Sequence, residues 1–111
     1  MPADGDRSIL MDPAVSYFST LLRKKLSSNL KEVMLFGSRA REDHHEGSDY
    51  DFLIILDRKN KDIIKLIREI EIDFLNKYDT VSASIIYDES EWEKRKTFPI
   101  GINILREGKK I

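Results

Sequence analysis

The sequence predicts an α/β (α+β) fold in which a small sheet is layered with helices. Three observations carry this. Apolar residues recur at helical spacing in two long stretches, and three short apolar runs read as strands between and after them. The resulting order is helix, strand, strand, helix, strand, helix. One run, Tyr50-Asp51-Phe52-Leu53-Ile54-Ile55-Leu56, is continuous rather than alternating in hydrophobicity, which marks a central strand covered on both faces. With 111 residues there is room for one compact domain, expected over 12–111 behind a frayed leader at 1–11.

Each element has a local reason. Asp12-Pro13 suits an N-cap followed by proline in the first turn. Val15, Phe18, Leu22 and Leu26 then outline an amphipathic helix over roughly 13–28. Its outer Arg23, Lys24 and Lys25 read as a solvated face. Glu32 to Phe36 is a strand stopping at the turn Gly37-Ser38, and 39–48 is a polar loop. Helical periodicity returns from Lys61 to Asn76, a third strand runs from Val81 to Tyr87, and Asp88 or Ser90 caps a helix over 91–96. Pro99 breaks that helix, and 100–106 forms a last one with Gly108 as its stop. Trp92 reads as the apolar anchor of a charged helix, Lys109-Lys110 as an exposed tail.

Composition excludes several functions. Cysteine is absent, which removes disulfides, thiolate catalysis and cysteine-built zinc sites and fits a cytoplasmic protein. The formal net charge is −1, so no global positive field holds a nucleic acid by phosphate neutralisation alone. No apolar run approaches a membrane span. The sheet's exposed edge leaves self-association or pairing with another protein open.

The chemistry gathers in Gly37-Ser38-Arg39-Ala40-Arg41 and Ser48-Asp49-Tyr50-Asp51. Alternate side chains leave a strand on one face, so Asp49 and Asp51 point the same way. Paired carboxylates repel unless a cation sits between them, and oxygen-only ligands suit Mg2+ or Mn2+. Gly37 permits a tight turn and close approach of a ligand to the backbone. The amides of Gly37, Ser38 and Arg39 and the Ser38 hydroxyl can meet phosphate oxygens. Arg39 and Arg41 supply positive charge for a leaving pyrophosphate. His44 and His45, adjacent in the loop, point apart and make a poor chelating pair.

These residues resemble the minimal nucleotidyltransferases, small relatives of the DNA polymerase beta superfamily palm, whose mark is G-S-x-A-R-G followed by S-D-x-D. The antitoxin half of MNT/HEPN toxin–antitoxin pairs, the MntA type, belongs to that family. The motif core spans 33–56, and the following helix and strand also fit. Glu42 departs from the pattern, standing where glycine is usual, and places a negative charge near the phosphates.

The resemblance implies a polymerase-beta-like palm, a small mixed sheet with helices packed mainly on one side. It implies that Asp49 and Asp51 bind magnesium carrying a nucleoside triphosphate, ATP foremost, while Gly37 and Ser38 grip its phosphates. A third carboxylate is expected from the following strand, and Asp79 is the candidate. The activity implied is transfer of a nucleotide, AMP from ATP, to a hydroxyl. For a chain too small to hold an acceptor-binding domain, that hydroxyl belongs to a partner, in this family a tyrosine of a HEPN-domain toxin. The alternative is a non-catalytic antitoxin that binds nucleotide and acts by occupying its partner. Antibiotic-modifying relatives generally carry an extra helical domain that is missing here.

Overall fold

The computed structural model describes residues 12–111; the expected leader lies outside the described residues. Helix α1, Pro13–Leu26, starts as its sequence predicts, with the Asp12 carboxylate accepting from the Ala14 amide at 2.9 Å. It buries Ala14, Val15, Phe18, Leu22 and Leu26, a stripe at helical spacing. The helix ends two residues earlier than expected. Ser27 turns to φ 49° and the chain tightens into a 3₁₀ turn over Ser27–Asn29.

Strand β1, Leu30–Phe36, leads into a one-turn helix α2, Ser38–Arg41, and the loop returns to β2, Tyr50–Leu56. The two strands pair antiparallel, with Val33 opposite Ile54 and Phe36 opposite Asp51. Helix α3, Lys61–Tyr78, crosses to β3, Ser82–Asp88, which lies parallel to β2. Asn60 caps α3 by accepting from the Ile63 amide at 3.0 Å. Helices α4, Glu89–Arg95, and α5, Pro99–Glu107, follow, and β4, Lys109–Lys110, closes the order β3-β2-β1-β4.

Strand β2 is central, as its apolar continuity predicts. Tyr50, Phe52, Ile54 and Leu56 face α1 and α3, joining Phe18, Leu22, Ile67, Ile70 and Phe74 in the main core. Phe18 stacks on Phe52 with ring centroids 4.0 Å apart, and Phe74 meets Phe18 edge-on at 5.8 Å. Full burial of each such side chain contributes roughly 1.5–3 kcal/mol. The odd-numbered residues Leu53 and Ile55 face the other way, under Trp92 and Ile104. The two long helices thus cover one face of a mixed sheet, and the shorter α4 and α5 lay a smaller cover on the other.

Two small departures matter for the site. Pro99 does not merely stop α4 but occupies the first turn of α5. Close packing of the two helices depends on Gly101, where an added Cβ would lie 2.1 Å from the Arg95 carbonyl oxygen. Lys109-Lys110 is not a free tail: it pairs with Leu35 and Met34, and the Ile111 amide donates to the Val33 carbonyl at 3.1 Å. Arg23 donates to the Ile111 carbonyl and Lys110 pairs with Glu32. The strand comes from these long-range partners, which two lysines give no local sign of. Among the described residues no helix is long and apolar enough to cross a membrane.

Candidate active site

The register of β1 against β2 builds the site. Phe36 ends β1 opposite Asp51, so the turn that follows, Gly37-Ser38, lands beside the start of β2. Gly37 sits at φ 76°, ψ −161°, and a Cβ there would meet Asp51 Oδ2 at 2.3 Å. Glycine is therefore needed twice, for the left-handed backbone and for the approach of that backbone to a carboxylate. Ala40 is buried in the main core and pins α2 to the sheet.

Asp51 continues the row of Leu53 and Ile55 but extends past their cover and is half-buried. Asp49, two residues earlier, is exposed and close enough to act on it. Burial first, then the Asp49 charge, pushes the Asp51 carboxyl above its ordinary value; Arg41 opposes the shift and Glu107 adds to it. A carboxyl so placed gains from an adjacent cation. The donor set, two carboxylates open to solvent on one side, fits a hard divalent ion with water and phosphate as its remaining ligands.

The two arginines divide. Arg41 reaches the acidic side, where its guanidinium donates to Asp43 and to Glu107, each at 3.0 Å. Those hydrogen bonds, Asp43 first, strengthen its hold on the proton. Arg39 is placed otherwise than expected. Its Nε and Nη2 donate to the Ser48 carbonyl at 3.1 and 2.9 Å, and the guanidinium lies 4.3 Å from the Tyr50 ring centroid. Tyr50 faces away from the aspartates, so Arg39 clasps the loop shut behind the site. The Tyr50 hydroxyl donates to Asp12 at 2.8 Å; burial and that contact push its pKa up to about 12. Phosphate-binding candidates on the open side are thus Gly37, Ser38 and Arg41.

Asp79 is not a strand residue. It caps the C-terminal end of α3 at φ 54°, ψ 36°, its amide donating to the Leu75 carbonyl at 2.8 Å. An aspartate tolerates this left-handed position better than most residues. On β3 the residue beside Asp51 is Ala83, and among the described residues no group of three His, Cys, Asp or Glu side chains is arranged to hold a metal. The expected third carboxylate is therefore not brought to the pair. What the structure brings instead is Glu107, from the far end of the chain. Its Oε1 accepts from the Gly37 amide at 3.1 Å and its Oε2 from Arg41. Sequence reasoning missed it, because an isolated glutamate before a helix-stopping glycine carries no functional mark.

The loop residues behave as expected. His44 and His45 are exposed, and His45 closes a turn through its carbonyl to the Ser48 amide at 3.0 Å. Glu42 adopts φ 64°, the conformation that the usual glycine takes without strain. The backbone thus supports a left-handed turn here at some cost from the side chain.

A family model described as "Nucleotidyltransferase domain" matches residues 16–108. A protein of Methanocaldococcus jannaschii named "Putative protein adenylyltransferase MJ0604" is 33% identical over 98 residues, covering 88% of this chain and 94% of that one. Among solved structures, a chain of a toxin–antitoxin complex with AMP-PNP aligns with TM-score 0.61 at 18% identity, covering 86% of this chain and 69% of that one. A chain of a mutant MntA–HpeT toxin–antitoxin complex aligns with TM-score 0.62 at 17% identity and the same coverage. A chain of the complex between a tri-AMPylated Shewanella oneidensis HEPN toxin and its MNT antitoxin gives 0.50 at 13%, covering 87% and 70%.

Proposed function

The chain belongs to the nucleotidyltransferase domain family, and from that premise we propose that it transfers AMP from ATP to a hydroxyl on a partner protein. The observation that carries this is the juxtaposition of the Asp49–Asp51 pair with the Gly37 turn, where a Cβ would strike the Asp51 carboxylate. Asp49 and Asp51 hold Mg2+, which when bound neutralises the polyphosphate and polarises the α-phosphoryl group. Gly37 and Ser38 orient the phosphates, and Arg41 meets the charge that builds on the departing pyrophosphate. The acceptor hydroxyl attacks the α-phosphorus in line, the bond to the bridging oxygen breaks, and the hydroxyl proton passes to solvent or to a carboxylate of the site.

The acceptor we infer is a tyrosine of a HEPN-domain toxin, which makes the chain an antitoxin. The support is likeness: a relative named for protein adenylylation, and aligned chains from complexes that contain AMP-PNP or an AMPylated HEPN toxin. Ala83 beside Asp51, in place of a third carboxylate, favours a second reading, a non-catalytic module that binds nucleotide and acts by covering its partner.

Incubation with magnesium, labelled ATP and a HEPN-domain partner separates the two. Transfer predicts label on a partner tyrosine, lost by at least a hundredfold in Asp49→Asn and in Asp51→Asn. Full activity in the double variant would sink the metal assignment. A partner that stays unlabelled with every nucleotide, yet is inhibited by the protein, selects the binding module.

A further inference from the structure

Glu107 occupies both the backbone amide and the guanidinium on the open side of the site. It is held there by its own element. Ile104 is buried under the sheet face, the Gly108 amide closes α5 on the Ile104 carbonyl at 2.7 Å, and β4 then pairs with β1. The side chain of Glu107 is only 18% exposed, and its two oxygens accept from the Gly37 N–H at 3.1 Å and from Arg41 Nη1 at 3.0 Å. An amide and a guanidinium converging on two oxygens of one anionic group is the arrangement that a phosphate takes.

A metal-ligand role fits this less well. Among the described residues no three Asp, Glu or His side chains are arranged to hold a metal, and the two Glu107 oxygens are directed at the Gly37 amide and the Arg41 guanidinium. A carboxylate that stays there while a triphosphate enters would compete for the same hydrogen bonds and repel the newcomer. One that leaves frees both donors together.

We propose that Glu107 is an internal stand-in for a nucleotide phosphate, occupying the Gly37 amide and Arg41 until a polyphosphate binds and displaces it. This rests on the reading that Gly37 and Arg41 receive phosphate. It sets a threshold for ligands: a polyphosphate, with several oxygens to exchange for two lost contacts, displaces the carboxylate more readily than a singly charged anion does. Glu107 is thereby a specificity-determining residue rather than a catalytic one.

The test titrates inorganic tripolyphosphate into the native protein, Glu107→Gln and Glu107→Ala, with and without magnesium, by calorimetry, and follows the Gly37 amide by NMR. Both variants are first checked for native circular dichroism; the alanine form guards against a glutamine that keeps the two contacts. The expected result is binding roughly two- to fivefold tighter in at least Glu107→Ala, the scale of one partly exposed ion pair. That gain persists without magnesium, and the Gly37 signal shifts in the native protein on saturation. Equal or weaker binding in both variants overturns the proposal, as does a Gly37 signal that stays in place. A loss confined to the magnesium titration would make Glu107 a metal ligand and overturn it too. Tighter tripolyphosphate binding without AMP transfer to any acceptor keeps this inference and removes only the transferase reading.

Discussion

The Asp51 carboxyl lies against Gly37 with Asp49 and Glu107 nearby, and burial followed by like charge raises its pKa. A folded-state value above the unfolded one has a defined sign. Below the unfolded pKa the group is neutral in both states and costs nothing. As pH rises through the folded pKa the protein must carry an unfavourable charge, and stability falls. Asp51→Asn removes that charge while keeping the shape. At pH 7 the variant should be more stable than the native chain by on the order of 0.5 kcal/mol, a small figure because the carboxyl is only half-buried. The difference should vanish as pH drops below the carboxylate range. Urea melts at several pH values check it, and a variant less stable at neutral pH would refute the cause assigned to the shift. The Asp51 charge thus works against the fold.

At the scale of elements, the aspartate row depends on α4. Leu53 and Ile55 continue the Asp51 face inward, and Trp92, 8% exposed and stacked on Tyr87 at 6.1 Å, is the largest side chain covering them. Trp92→Ala should cost about 3 kcal/mol, the low end for a buried aromatic because the cluster is small. Loss of under about 1 kcal/mol in urea denaturation would mean that α4 contributes little to this face. Trp92 was legible as an anchor because it is the lone apolar residue among Glu91, Glu93, Lys94 and Arg95. The main elements were legible for similar reasons: α1 and α3 from their period, β2 from its unbroken apolar run. Gly37 and Asp51 were legible because turn and strand chemistry is local. What stayed hidden is non-local. The four residues of α2 are too few to show a period, and β4 exists only through β1. Glu107 contacts Gly37 across 70 positions. Asp79 misled because an aspartate before a strand and one ending a helix in a left-handed turn look the same without coordinates.

For the whole molecule, the open sheet leaves two edges, each a template for pairing with another chain. The structure covers both. At one, β4 is two residues long and made of lysines. At the other, long cations reach over the carbonyls of β3: Arg68 Nη1 donates to the Ser84 carbonyl at 3.4 Å and Lys59 Nζ to that of Ile86 at 3.3 Å. Each cation is also tied to an acid, Arg68 to Glu71 at 2.9 Å and Lys59 to Glu91 at 3.0 Å, so its reach over the edge is fixed rather than incidental. The apolar Ile72, Leu75 and Val81 lie exposed around the start of this edge, and a strand that docked there would gain both backbone bonds and apolar contact. Removing the two caps should therefore raise self-association. The Lys59→Ala, Arg68→Ala double variant is expected to show concentration-dependent sedimentation at roughly tenfold lower protein concentration than the native chain, equivalent to about 1.4 kcal/mol in association. Each single change should show part of the effect, since the caps guard neighbouring carbonyls of one strand. A double variant that sediments like the native chain at every concentration would show that the edge is protected by something other than these two side chains.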